Sequence, residues 1–189
     1  MKKYLSIIVL LSLFVIGCSE QMSVNSPVNT NTSEPNWIAL PSAEGMQMNK
    51  TFTTSKAIDG AKGGMIDLNT SYNGGLFGTI TLTSSLVFPK GSHSGLVTFT
   101  VSHDDKSCVS SFGPSYIFNK ELILNIKYTG LDLSGTNPAQ VKFAYLAADG
   151  SVVEALNDGI ILDRQTGTLQ VIKAKLRHFS RYGFVRKTK

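Results

Sequence analysis

The sequence predicts an all-β protein built around a single antiparallel β-sandwich, and three observations point there. From about residue 51 onward, apolar and polar residues alternate with a period of two, the pattern of strands with one buried and one wet face. Gly, Asn, Asp and Pro interrupt that pattern at short intervals, as hairpins require. No window carries a helical stripe, and β-branched and aromatic residues dominate. Roughly eight to ten short strands in one domain close most naturally as two packed sheets.

Taken in order, Ile66 and Leu68 alternate with Met65, Asp67 and Asn69, after a glycine-rich turn at Gly60-Ala61-Lys62-Gly63-Gly64. Asn73-Gly74-Gly75 reads as a hairpin tip, followed by Ile80 and Leu82 set among Thr79, Thr81 and Thr83. Val97, Phe99 and Val101 form the next apolar face, between bends at Pro89-Lys90-Gly91 and Gly113-Pro114. The clearest alternation is Leu122, Leu124, Ile126 and Tyr128 against Glu121, Ile123, Asn125 and Lys127. Val141, Phe143 and Tyr145 lead to Ala148-Asp149-Gly150-Ser151, a tight turn because Asp-Gly readily takes positive φ. The series ends at His178-Phe179-Ser180-Arg181-Tyr182-Gly183, which reads as the closing strand with His178, Ser180, Tyr182 and Phe184 along one face.

The N-terminus speaks to compartment. Lys2 and Lys3 precede an apolar run from Leu5 to Ile16. A run of about 12 residues is too short for a span, which needs roughly 20, but it has the form of a secretory signal. Val15-Ile16-Gly17-Cys18 follows directly and resembles the bacterial lipobox. The resemblance implies cleavage between Gly17 and Cys18 and a covalent diacylglycerol and acyl lipid, such as palmitate, on the Cys18 thiol. Ser19 stands where an aspartate would signal retention, so similarity to Gram-negative lipoproteins implies the cell envelope, and the outer rather than the inner membrane. More than one acyl chain makes such an anchor stable.

The expected layout is a signal peptide over residues 1–17, a Ser/Asn/Thr/Pro-rich tether over 18–50, the sandwich over 51–186 and a basic tail over 187–189. The tether's composition cannot bury enough surface to offset its ordering entropy. Its exception is Asn36-Trp37-Ile38-Ala39-Leu40, an apolar stretch between Pro35 and Pro41 that holds the only tryptophan and is expected to dock on the domain as extended chain. The formal charge of +5 falls to +3 without Lys2 and Lys3. No pattern of interleaved basic and aromatic residues points to nucleic acid.

The order of several segments resembles the ZU-five domain, the β-sandwich of zonula occludens proteins, netrin receptors and ankyrins. The carrying residues are Gly63-Gly64, Val87-Phe88-Pro89-Lys90-Gly91, Phe112-Gly113-Pro114 with Phe118, the Tyr145 strand with its Asp149-Gly150 turn, and His178-Phe179-Ser180-Arg181-Tyr182. The resemblance covers about residues 55 to 186 and implies a binding module, here for an envelope protein or glycan. In some death-domain adaptor relatives a His-Phe-Ser tripeptide undergoes autoproteolysis. The matching roles are His178 as base, Phe179 as carbonyl donor and Ser180 as nucleophile. The serine hydroxyl would attack the Phe179 carbonyl, the Ser180 amine would leave to give an ester, and water would open it. In a regular strand, however, residues two apart lie about 6.6 Å apart at Cα, too far for His178 to touch Ser180.

The second reactive stretch is His103-Asp104-Asp105-Lys106-Ser107-Cys108. It mixes soft and hard metal ligands, but His93 and His178 are distant, so it reads as a polar inter-strand loop with Cys108 buried, and no metal is expected. The run from His103 to Phe112 is also a candidate contact surface. No acid–base pair, phosphate-cradling loop or nucleophile elbow is present, and an enzyme is not expected.

Overall fold

The structure, a computed structural model, describes residues 35–41, 50–74 and 77–187, all within one compact unit. The expected signal peptide, Gly17, Cys18 and residues 188–189 lie outside the described residues, as does the expected tether apart from 35–41 and Lys50. Among those described, no helix is long and apolar enough to cross a membrane.

Among the described residues eleven strands follow one another: β1 (Thr51–Asp59), β2 (Gly64–Asn73), β3 (Thr79–Phe88), β4 (Leu96–Asp104), β5 (Val109–Gly113), β6 (Ile117–Thr129), β7 (Val141–Leu146), β8 (Val152–Glu154), β9 (Gly159–Asp163), β10 (Thr168–His178) and β11 (Arg181–Arg186). They form a six-stranded sheet ordered β1-β4-β5-β11-β7-β8 and a five-stranded sheet ordered β2-β3-β6-β10-β9. Every strand pairing is antiparallel. The alternating residues supply the inner faces of a β-sandwich. Ile66, Leu82, Leu86, Leu124 and Ile126 from one sheet meet Phe99, Val101, Phe143 and Phe184 from the other in a single buried core.

The tether docks at its apolar stretch. The Ile38 amide donates to the Phe184 carbonyl at 2.8 Å, and the Ile38 carbonyl accepts from the Cys108 amide at 2.8 Å. Residues 35–41 thus lie beside the second half of β11, where the β5 pairing has stopped at Val109. Ile38 and Leu40 turn into the core, while Ala39 stays exposed. The spacer expected through residue 50 is therefore interrupted by a segment that completes the sheet.

Two expectations need correction. The stretch at His178 is not one closing strand. β10 ends at His178 in the five-stranded sheet, and β11 begins at Arg181 in the six-stranded sheet. Only Phe179 and Ser180 cross between layers that pack about 10 Å apart. Burial of Phe179 drives that corner, because its ring packs against Phe118 at 4.8 Å and Phe99 at 5.3 Å. Nor are residues 103–112 a loose loop. His103 and Asp104 complete β4, and β5 follows in the interior of the sheet. His103 continues the inward register of Phe99 and Val101, so its side chain is buried.

Candidate functional site

The corner at His178 gathers the side chains of most chemical interest. His178 ends β10, Tyr145 comes from β7 and Tyr182 from β11. The Tyr145 ring meets the His178 ring edge-on at 4.8 Å and tilts against Tyr182 at 5.3 Å. The three rings border a cleft of about 220 Å³ whose rim carries Glu121, Val153, Glu154, Leu156, Lys175 and Arg177. Residues 155 and 156 bridge the two sheets, since the Ala155 amide donates to Phe143 and the Lys175 amide to Leu156. The walls therefore belong to both layers.

Polar groups at the corner are engaged in holding it. The Ser180 hydroxyl donates to the Leu146 carbonyl at 2.5 Å, and the Tyr182 hydroxyl to the His178 carbonyl at 2.9 Å. No hydrogen bond joins His178 to Ser180, whose hydroxyl is aimed at β7 rather than back at the Phe179 carbonyl. Lys173 is the one non-glycine residue with positive φ among the described residues (49°), so the left-handed backbone lies in the β10 bulge and not at Phe179-Ser180. Burial, with Tyr145 alongside, pushes the Tyr182 phenol well up, which keeps it a proton donor.

The rim holds two carboxylates and two cations, and both carboxylates are paired, Glu121 with Arg177 and Glu154 with Lys142. Arg177 pairs with Glu121 at 2.9 Å, but its side chain is 79% exposed, so the pair adds little stability. Lys175 is exposed and makes no ion pair among the described residues. Leu156 is 69% exposed at the cleft mouth, an apolar contact that turn-rich local sequence did not announce. Tyr182 is 1% exposed, so the half-buried Tyr145 and His178 rings supply the apolar surface, and with Lys175 on the rim they suit a small ring that carries an acidic group. The volume lies below the roughly 300–1,000 Å³ of drug-sized pockets and matches a single ring.

The other histidines serve the fold. His93 is buried, its Nε2 donating to the Ile58 carbonyl at 3.1 Å, a direction fixed because a carbonyl only accepts. His103 Nδ1 bonds the Ser110 hydroxyl at 2.9 Å, its Nε2 has no partner, and burial lowers its pKa to about 4. The Cys108 thiol is buried, and desolvation pushes it far up. No three His, Cys, Asp or Glu side chains converge as a metal site among the described residues. Asp149 and Asp163 cap their own turns, accepting from the Ser151 and Gln165 amides.

What fold and site define is a class, an antiparallel β-sandwich with a small aromatic cleft across its two layers. No family model, no curated protein and no solved structure matches the chain.

Proposed function

We propose that this chain is a lipid-anchored bacterial envelope protein, held at the outer membrane through Cys18, whose ZU-five-like sandwich is a non-enzymatic module binding an envelope glycan or protein. The observation that carries the reading is the cleft bordered by the half-buried rings of Tyr145 and His178, with Lys175 on its rim. It favours a glycan with an acidic sugar, because ring faces stack on the apolar side of a pyranose while Lys175 meets its carboxylate. The hydroxyl and carbonyl groups at the corner are already committed to each other, which supports recognition rather than reaction.

Calorimetry against uronic-acid oligosaccharides and their neutral counterparts tests the cleft. Binding to the acidic series is expected, with Tyr145→Ala lowering affinity about two- to tenfold, since aromatic contacts are worth roughly 0.5–1.5 kcal/mol. Equal affinity for the neutral series, or no effect of Tyr145→Ala, refutes the glycan assignment, and a crosslinked envelope protein would replace it. Palmitate labelling lost in Cys18→Ala supports the anchor, and labelling that survives overturns it. On this reading Phe179-Ser180 stays whole, so intact mass returns one species and a fragment beginning at Ser180 counts against it.

A further inference from the structure

The outer face of the six-stranded sheet holds two grooves that the cleft does not use. They share Pro35 and Asn36, which lie between them. One groove, of about 640 Å³, runs along Trp37 and carries Lys106 and Arg181, with Asp104 as its carboxylate. The other, of about 570 Å³, carries Lys142, Arg186 and Lys187, with Glu154 as its carboxylate. Five cations therefore stand against two carboxylates around the point where the chain enters the described domain. Both carboxylates are engaged: Asp104 accepts from the Lys106 and Ser107 amides, and Glu154 pairs with Lys142 at 3.2 Å. Asp105, next in the chain, accepts from the Lys50 amide. Lys106, Arg186 and Lys187 are exposed.

We infer that this face docks on anionic phospholipid headgroups of the membrane that carries the anchor. The inference rests on the lipid anchor proposed above and adds an orientation to it. Two observations select the occupant. The charge is complementary to an anionic surface, and each cation near such a surface favours the bound state about fivefold, so a net two, leaving out Arg181, which already has a partner, amount to about 25-fold. The chain preceding Pro35 also starts from the middle of this face. Cys18 lies 17 residues before Pro35, a reach of at most about 60 Å, so an anchored domain stays at high effective concentration over the headgroups. Trp37, half-buried along the first groove with its Nε1 turned inward, would bring the exposed part of its ring to the headgroup level.

Trp37 is the only tryptophan, which makes the test direct. The mature lipidated chain is placed in vesicles of phosphatidylcholine brominated near the headgroup, with or without unbrominated phosphatidylglycerol. Flotation reports the anchor and Trp37 emission reports the face. The expected result is flotation in both lipids, with emission quenched about twofold or more only when phosphatidylglycerol is present. Molar salt, where the Debye length is about 3 Å, restores the emission. So does the triple variant Lys106→Glu, Arg186→Glu, Lys187→Glu, and the pair Lys106→Glu, Lys187→Glu restores most of it without touching the Arg186 bond to Thr136. A floated chain with unquenched emission, or with equal quenching in both lipids, overturns the docking face and leaves the anchor standing. A chain that does not float overturns the anchor and this inference with it.

Discussion

His103 makes the stability of this sandwich depend on pH in a way that one substitution isolates. Its ring is 1% exposed, bonded at Nδ1 to Ser110 and unpartnered at Nε2. Desolvation alone holds its pKa near 4, against 6.5 for an exposed histidine, with no neighbouring charge offsetting it. The unfolded chain therefore takes up a proton at a higher pH than the folded one does. Above pH 6.5 both states are neutral and nothing is lost. As pH falls through the window from 6.5 to about 4, proton uptake stabilises the unfolded state, and the loss reaches about 3 kcal/mol at 1.36 kcal/mol per pH unit. Over a domain of this size that corresponds to roughly 6–12 °C in melting temperature.

The assay is urea unfolding followed by Trp37 emission at about pH 7.5 and about pH 4, on the wild type and on His103→Leu. Leucine fills much of the same volume and cannot titrate. It leaves the Ser110 hydroxyl without its partner at a cost of about 1–3 kcal/mol, but that cost is the same at both pH values. Exposed carboxylates such as Asp149 and Asp163 titrate equally in both chains. The wild type should lose about 3 kcal/mol more than the variant across the interval. Parallel pH profiles would refute the reasoning, because they would mean that the folded interior accepts the imidazolium.

Other consequences of the packing can be measured in the same way. Gly183→Ala places a Cβ 2.6 Å from the Cys108 carbonyl and 2.8 Å from Val109 Cγ2. It should cost about 3 kcal/mol, the upper end for overpacking, and a melting temperature within error of wild type would contradict the β5–β11 approach. Ile38→Ala, at a position 2% exposed, should cost about 2–5 kcal/mol in the same urea assay, and a neutral result would mean that residues 35–41 do not dock. The buried Cys108 thiol, its pKa raised by burial, should resist maleimide in the native chain and react in urea, as mass spectrometry would record.

Period-two alternation was legible wherever a strand kept one register. Leu122, Leu124, Ile126 and Tyr128 are all buried, and Asp149-Gly150 turns between β7 and β8 with Gly150 at φ 83°. Alternation failed where the register changes. In β10 a bulge between Val171 and Ala174 resets the parity, so Leu169 and Val171 before it and Ala174 and Leu176 after it all face inward. His103 was misplaced for a related reason. Asp104-Asp105-Lys106 looks like the start of a turn, yet the inward period of Phe99 and Val101 runs one step further. The cleft left no local trace, because Tyr145 and His178 are far apart in sequence and meet only through a change of sheet.

That change of sheet also governs how the cleft behaves. Phe179 is held in the aromatic core by Phe99 and Phe118, and its amide donates to the Tyr116 carbonyl at 2.9 Å. Ser180 ties the other side to β7. His178 and Tyr182 flank this pinned pair, so their separation follows from the sandwich thickness rather than from loop conformation. Opening the cleft would shear one sheet over the other through a close-packed core. It is therefore preformed, and the ligand proposed for it would pay little ordering cost on entry. Substitutions in its walls should then change affinity mainly through the dissociation rate, whereas Ser180→Ala, which frees the Leu146 carbonyl and loosens the corner, should weaken binding without touching the ligand at all.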